Sequence, residues 1–299
     1  MRHTQGRKSA LKEIWNMSRL NKTYLGFTFL FMAIGWGICL LCSFNGISLN
    51  DSKWLYAPFL LGGWSPTIAS YLSLRGDNQV AGMKEWLKNI FDLKHNVLSY
   101  LMVAVMAIIF ILPQCLISGY ENGAPVFAII VMIPMMLVGG GLEEAGWRYI
   151  LQPELEKKYP FTVSTILVSV IWWLWHLPLF YIQGTGQFGQ NYFAFGINVL
   201  GLSFALASIR KNTGSVWLCV LFHCIVNSFS GIFIIHDNIW GNIAATMILI
   251  LCSYALVAVN GRLKVFILLN DFTCHETRLH NADWFNRMIP SGSFQRYAV

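Results

Sequence analysis

Eight runs of about 20 predominantly apolar residues dominate the chain, near 23–44, 54–74, 97–118, 126–149, 161–181, 191–209, 215–236 and 239–259, with short loops between them. Each is long enough to cross the roughly 30 Å hydrocarbon layer as a helix. Inside lipid the backbone must satisfy its own hydrogen bonds, so a chain of this pattern is restricted to an all-α polytopic membrane bundle of about eight transmembrane helices. Charged residues make up 12% of the sequence, against about 25% in a soluble domain, and that deficit excludes an ordinary soluble enzyme. The first run is too long for the apolar core of a cleavable signal peptide, and no small-residue cleavage site follows it.

The charge pattern gives an orientation. With the N-terminus in the cytosol, the inner segments are 1–22, 75–96, 148–160, 210–214 and 260–299, and they hold 20 of the 21 Lys and Arg residues, leaving only Lys53 outside. This is the bias of the positive-inside rule. The net charge of +7 therefore reflects membrane topology; no basic stripe with interleaved aromatics suggests a nucleic-acid partner. The expected organisation is a basic cytosolic arm over 1–22, a membrane domain over 23–259 and a cytosolic tail over 260–299. The expected location is a bacterial cell membrane, with both termini cytosolic.

Within 79–94, Met83, Trp86, Leu87, Ile90 and Phe91 recur at helical spacing opposite Lys84, Glu85, Lys88 and Asp92, the pattern of an amphipathic helix anchored at the interface. Trp54, Trp147, Trp217 and Trp240 fall near span ends and read as aromatic-belt residues. Cys39 and Cys42 form a C-x-x-C within an apolar run, with no second pair, and read as packing residues. In the tail, His275 and His280 are five apart, about 140° around a helix, which does not suit a zincin pair four apart.

The informative residues are the ionisable ones inside the runs. Glu143 and Glu144 stand together in VFAIIVMIPMMLVGGGLEEAGWRYI, where each carboxylate costs roughly 2.5 kcal/mol or more to insert. Glu144 and Arg148 are four apart and face each other on a helix, as a structural ion pair would. Glu143 lies on another face with no local partner, a candidate general base. His176 closes the segment Trp172–His176 ahead of Pro178, which loosens the helix just past it. His223 and Asn227, four apart, share one face. The simplest arrangement brings these groups, all from the fourth to seventh runs, to one polar cavity.

The three segments resemble the CPBP family of intramembrane proteases, also called Abi or CAAX-protease-like, whose pattern is E-E-x-x-x-R, then F-x-x-x-H, then H-x-x-x-N. Glu143-Glu144 to Arg148 and His223 to Asn227 match, and Asn212 to Trp217 resembles the N-T-G-S-x-W approach to the third motif. Trp172 departs, standing where phenylalanine is usual. The resemblance covers roughly 125–235. It implies an intramembrane endopeptidase in which Glu143 activates water, His176 helps orient it, His223 and Asn227 stabilise the oxyanion, and Glu144 and Arg148 hold the site's shape. It implies a prenylated or otherwise membrane-anchored peptide or protein as substrate, with the bilayer as the other partner. A metal-free, glutamic mechanism is the expectation for cofactors; the metalloprotease-like alternative is zinc held by Glu143, His176 and His223. Two other functions fit the same residues: a non-catalytic bacteriocin-immunity-type protein on this scaffold, and a proton-coupled transporter. Simple centring also leaves a tension, with Glu143 near the inner end of its run and His176 outward of the middle of its own.

Overall fold

The computed structural model of the protein describes residues 18–259. The basic arm before residue 18 and the tail from 260, with His275 and His280, lie outside the described residues. Eleven helices and one short strand pair carry the described chain: α1 Arg19–Phe44, α2 Tyr56–Gly63, α3 Ser65–Gly76, α4 Met83–Ile90, α5 Val97–Ser118, β1 Tyr120–Asn122, α6 Ile129–Val138, α7 Gly141–Glu156, α8 Phe161–Trp175, α9 Tyr192–Thr213, α10 Val216–Ile232, β2 Phe233–Ile235 and α11 Ile239–Val259. It is the expected all-α membrane bundle. Leu41, Leu116, Ile130 and Leu251 are among the many large apolar side chains exposed on it, as lipid-facing surfaces require.

The expected eight continuous spans are not all present. Four helices, α1, α5, α9 and α11, are long and apolar enough to cross a bilayer, and the number rises to five if α6 and α7, bent by 41° at their break, count as one span. The run at 54–74 is split into α2 and α3 at Trp64, because Pro66 stands in the first turn of α3, and a proline ring clashes with the preceding turn's carbonyl. The run at 126–149 breaks at Gly139 and Gly140. The run at 161–181 stops at Trp175: Leu177 precedes Pro178, which disfavours α geometry, and a 3₁₀ turn Leu177–Phe180 takes over. The run at 215–236 ends at Ile232, and its last residues instead form β2, antiparallel to β1 with Tyr120 opposite Ile235.

Helix α1 packs on α2 and α3, α10 packs on both α5 and α6, α8 packs on α9, and α3 touches the start of α7. Indole donors join the helices further. The indole N–H of Trp175 donates to Ser65 Oγ at 3.0 Å, that of Trp86 to Ser70 Oγ at 2.9 Å, and that of Trp36 to the Phe59 carbonyl at 3.0 Å. Helix α4 thus buries Trp86 and Ile90 in the protein and leaves Met83 and Leu87 exposed, so its apolar residues serve two surfaces and not one lipid-facing stripe.

The turn between α9 and α10 is built locally. Gly214 caps α9 in the left-handed conformation at φ 68°, where glycine carries no steric penalty. Ser215 then caps α10, its Oγ accepting the Leu218 N–H at 3.1 Å. This fixes the phase of α10, and hence the direction of His223 and Asn227.

Candidate active site

Glu143 ends a 3₁₀ turn, Gly141–Glu143, that opens α7 directly after the break. Gly140 makes the break possible. Its φ is 143°, a region essentially closed to residues with a Cβ. Two helices deliver three functional atoms to the space beside its α-carbon. A Cβ placed there would lie 2.8 Å from Asn227 Nδ2, 3.3 Å from His223 Nε2 and 3.5 Å from Glu143 Oε1. The carboxylate, the imidazole and the amide therefore face one small space next to bare backbone. Asn227 also donates to the Gly139 carbonyl at 3.4 Å.

The other oxygen of Glu143 is engaged. Oε2 accepts the indole N–H of Trp172 at 2.8 Å and, more weakly, that of Trp147 at 3.4 Å. Glu143 makes no ion pair among the described residues. Trp147 is wholly buried, which corrects its reading as a belt residue, whereas Trp54 and Trp240 are exposed as that reading requires.

Glu144 is fully buried together with Arg148. The expected ion pair is present, Arg148 Nε lying 3.5 Å from Glu144 Oε2. A second partner was not legible in the sequence: Glu144 Oε1 lies 2.9 Å from His223 Nδ1, across 79 residues of sequence. Arg148 sits in a π-helical turn, Trp147–Leu151, a local widening found often at functional sites. Its guanidinium lies over the Trp172 ring at 5.5 Å, and its carbonyl accepts the Arg210 Nε–H at 3.0 Å. Glu144 thus fixes the imidazole of His223 through Nδ1 and leaves Nε2 to the space beside Gly140.

His176 follows the last residue of α8 and is buried. Its Nδ1 is 2.8 Å from the Trp172 carbonyl, and its ring packs against Trp175 at 4.7 Å and Phe195 at 4.9 Å. No hydrogen bond joins it to Glu143. Both imidazoles flank Trp172, whose ring centre is 5.6 Å from that of His176 and 5.5 Å from that of His223. The expected tension assumed two straight helices, and neither run is one: the first breaks just before Glu143 and the other ends just before His176.

All the candidate residues come together in one region of the bundle: Glu143, His223 and Asn227 around a single space, Glu144 and Arg148 behind His223, and His176 against the Trp172 ring. The sequence reading missed Gly140 and the two indoles. Only Trp147 gave a local hint, standing four residues after Glu143.

The motif-bearing stretch is also where known proteins match. Residues 125–229 match the family described as type II CAAX prenyl endopeptidase Rce1-like. The core of this chain is similar to the CAAX prenyl proteases. A curated relative from Methanococcus maripaludis, named CAAX prenyl protease 2, is 25% identical over 234 residues, covering 69% of this chain and 82% of that protein. The family match spans every candidate residue from Glu143 to Asn227, and both likenesses are to proteases. The bundle and the likeness together support a membrane-embedded protease.

Proposed function

We propose that the protein is an intramembrane glutamic endopeptidase of the CAAX-protease-like type, cleaving a peptide bond in a prenylated or otherwise membrane-anchored substrate. The convergence of Glu143 Oε1, His223 Nε2 and Asn227 Nδ2 beside Gly140 carries this reading. A water in that space gives a proton to Glu143 Oε1 as its oxygen attacks the scissile carbonyl. The oxygen that becomes negative receives hydrogen bonds from Asn227 Nδ2–H and, with the ring doubly protonated, from His223 Nε2–H. Glu143 then passes its proton to the departing amine as the carbon–nitrogen bond breaks. His176, with Nδ1 held by the Trp172 carbonyl, offers Nε2 to orient the water.

Zinc held by Glu143, His176 and His223 is the alternative; that no three His, Cys, Asp or Glu groups form a set able to hold a metal among the described residues favours the metal-free reading. No step is therefore routed through a metal. The charge bias supports a cell membrane, bacterial in our reading, with both termini cytosolic.

The test is cleavage of a prenylated C-terminal peptide by membranes carrying wild-type, Glu143→Ala or His176→Ala protein, read by mass spectrometry. Loss of a general base removes about 10²- to 10⁴-fold of rate, so Glu143→Ala should show no cleavage above background. Unchanged cleavage in both variants ends the hydrolytic reading and favours an immunity-type or proton-coupled role. Elemental analysis of purified, active protein tests the metal: stoichiometric zinc, lost together with activity on chelation, overturns the metal-free mechanism.

A further inference from the structure

The distribution of donors around Glu143 is asymmetric. Its two carboxylate oxygens have different surroundings: Oε2 accepts N–H bonds from Trp172 and Trp147, while Oε1 is the oxygen turned to the space shared with His223 and Asn227. We propose that Trp172 and Trp147 are positioning residues that hold the Glu143 carboxylate by Oε2 and so select Oε1 as the atom that takes the proton. The proposal rests on the hydrolytic reading above and adds to it which oxygen works and what aims it.

The physical argument is one of rotational freedom. The terminal torsion of glutamate is broad and roughly two-fold. Left to itself, the carboxylate of Glu143 would present either oxygen, at any tilt, to the space beside Gly140. Two donors on one oxygen remove that freedom. Trp172 is itself fixed, being nearly fully buried, with the Arg148 guanidinium over its ring and both imidazoles packed against it. Trp147 is locked by edge contacts to Tyr24 and Trp175. Indole is a donor only, so neither residue competes for the water proton. The departure from phenylalanine at position 172 acquires a chemical content here: phenylalanine fills similar space but has no N–H to give.

The experiment separates the N–H from the ring. Trp172 is replaced, by suppression at that codon in the full chain, with 5-fluorotryptophan, which keeps the N–H, and with benzothienylalanine, which carries sulfur in its place; Trp172→Phe, Trp147→Phe and Glu143→Gln accompany them. Steady-state cleavage of a prenylated peptide gives kcat and KM, and thermal unfolding in detergent reports folding. The expected result is a fall in kcat of about 10- to 100-fold for benzothienylalanine, because a small misplacement of a reacting group costs up to about 100-fold. KM should stay within about two-fold, and 5-fluorotryptophan should behave as wild type. Trp147→Phe, losing the longer bond, should fall less. Benzothienylalanine with unchanged kcat, beside an inactive Glu143→Gln, overturns the proposal while leaving Glu143 as the base. Active Glu143→Gln overturns the hydrolytic reading and the proposal with it. Equal losses for both analogues would trace the effect to ring shape and overturn the role given to the N–H.

Discussion

Replacing Gly140 by alanine tests the site with the smallest change available. The new methyl group would sit where the water and scissile carbonyl are expected, 2.8 Å from Asn227 Nδ2 and 3.3 Å from His223 Nε2. Non-bonded carbon and nitrogen prefer roughly 3.5 Å or more, so Asn227 has to retreat by about half an ångström or more and the space closes. A second cost comes from the backbone, since φ of 143° is strained by roughly 1–3 kcal/mol for a residue with a Cβ. The first effect acts on rate and the second on stability. Peptide cleavage should fall by about 100-fold or more, the scale associated with displacing reacting groups by about 1 Å, with a modest loss of thermal stability. Gly139→Ala is the control: the nearest atoms its Cβ would meet are Met136 Sδ at 3.3 Å and the Met135 carbonyl at 3.6 Å, neither of them a site residue, so activity should stay within about two-fold. The measurement is kcat/KM on a prenylated peptide together with thermal unfolding in detergent. A folded Gly140→Ala protein that cleaves like wild type would refute the assignment of this space to the reacting atoms.

Glu144→Ala strips the buried Arg148 of its carboxylate and His223 of its partner; removing one member of a buried pair costs about 3–5 kcal/mol. Its unfolding temperature should therefore drop sharply, and further than that of the inactive Glu143→Ala, which breaks no ion pair and only deprives two indole N–H groups of their acceptor. Similar unfolding temperatures for the two would contradict the division of roles between the adjacent glutamates. Ser215→Ala removes the cap of α10 and should cost about 1 kcal/mol of stability, with activity retained at low temperature, since the helix still presents His223 and Asn227 once folded; an unchanged unfolding profile would show that the cap contributes nothing.

Hydropathy and charge spacing were sufficient to read an all-α membrane bundle, because lipid removes every alternative to the hydrogen-bonded helix and each run carries that information within itself. The positions of the acid, imidazole and amide groups were legible for the same reason: a polar side chain in an apolar run stands out against its immediate neighbours. Spacing also gave the pairing of Glu144 with Arg148, a contact made within one helix.

The breaks were not legible, because an apolar run looks the same whether its helix continues or stops. Nothing local marks Gly139 and Gly140 as the break, and only the packed backbone shows Gly140 in a conformation that turns the chain and opens a space. The link from His223 to Glu144 crosses 79 residues, and the hold of Trp172 on Glu143 crosses 29; no local period encodes either. Trp147 reads as an interfacial tryptophan until its burial and its bond to Glu143 are seen. The sequence by itself determined which groups would have to be hidden from lipid. The tertiary structure decided which of them meet, which oxygen of Glu143 is held and which is left to react, because those outcomes depend on helix ends and rotations that only packing between distant segments fixes.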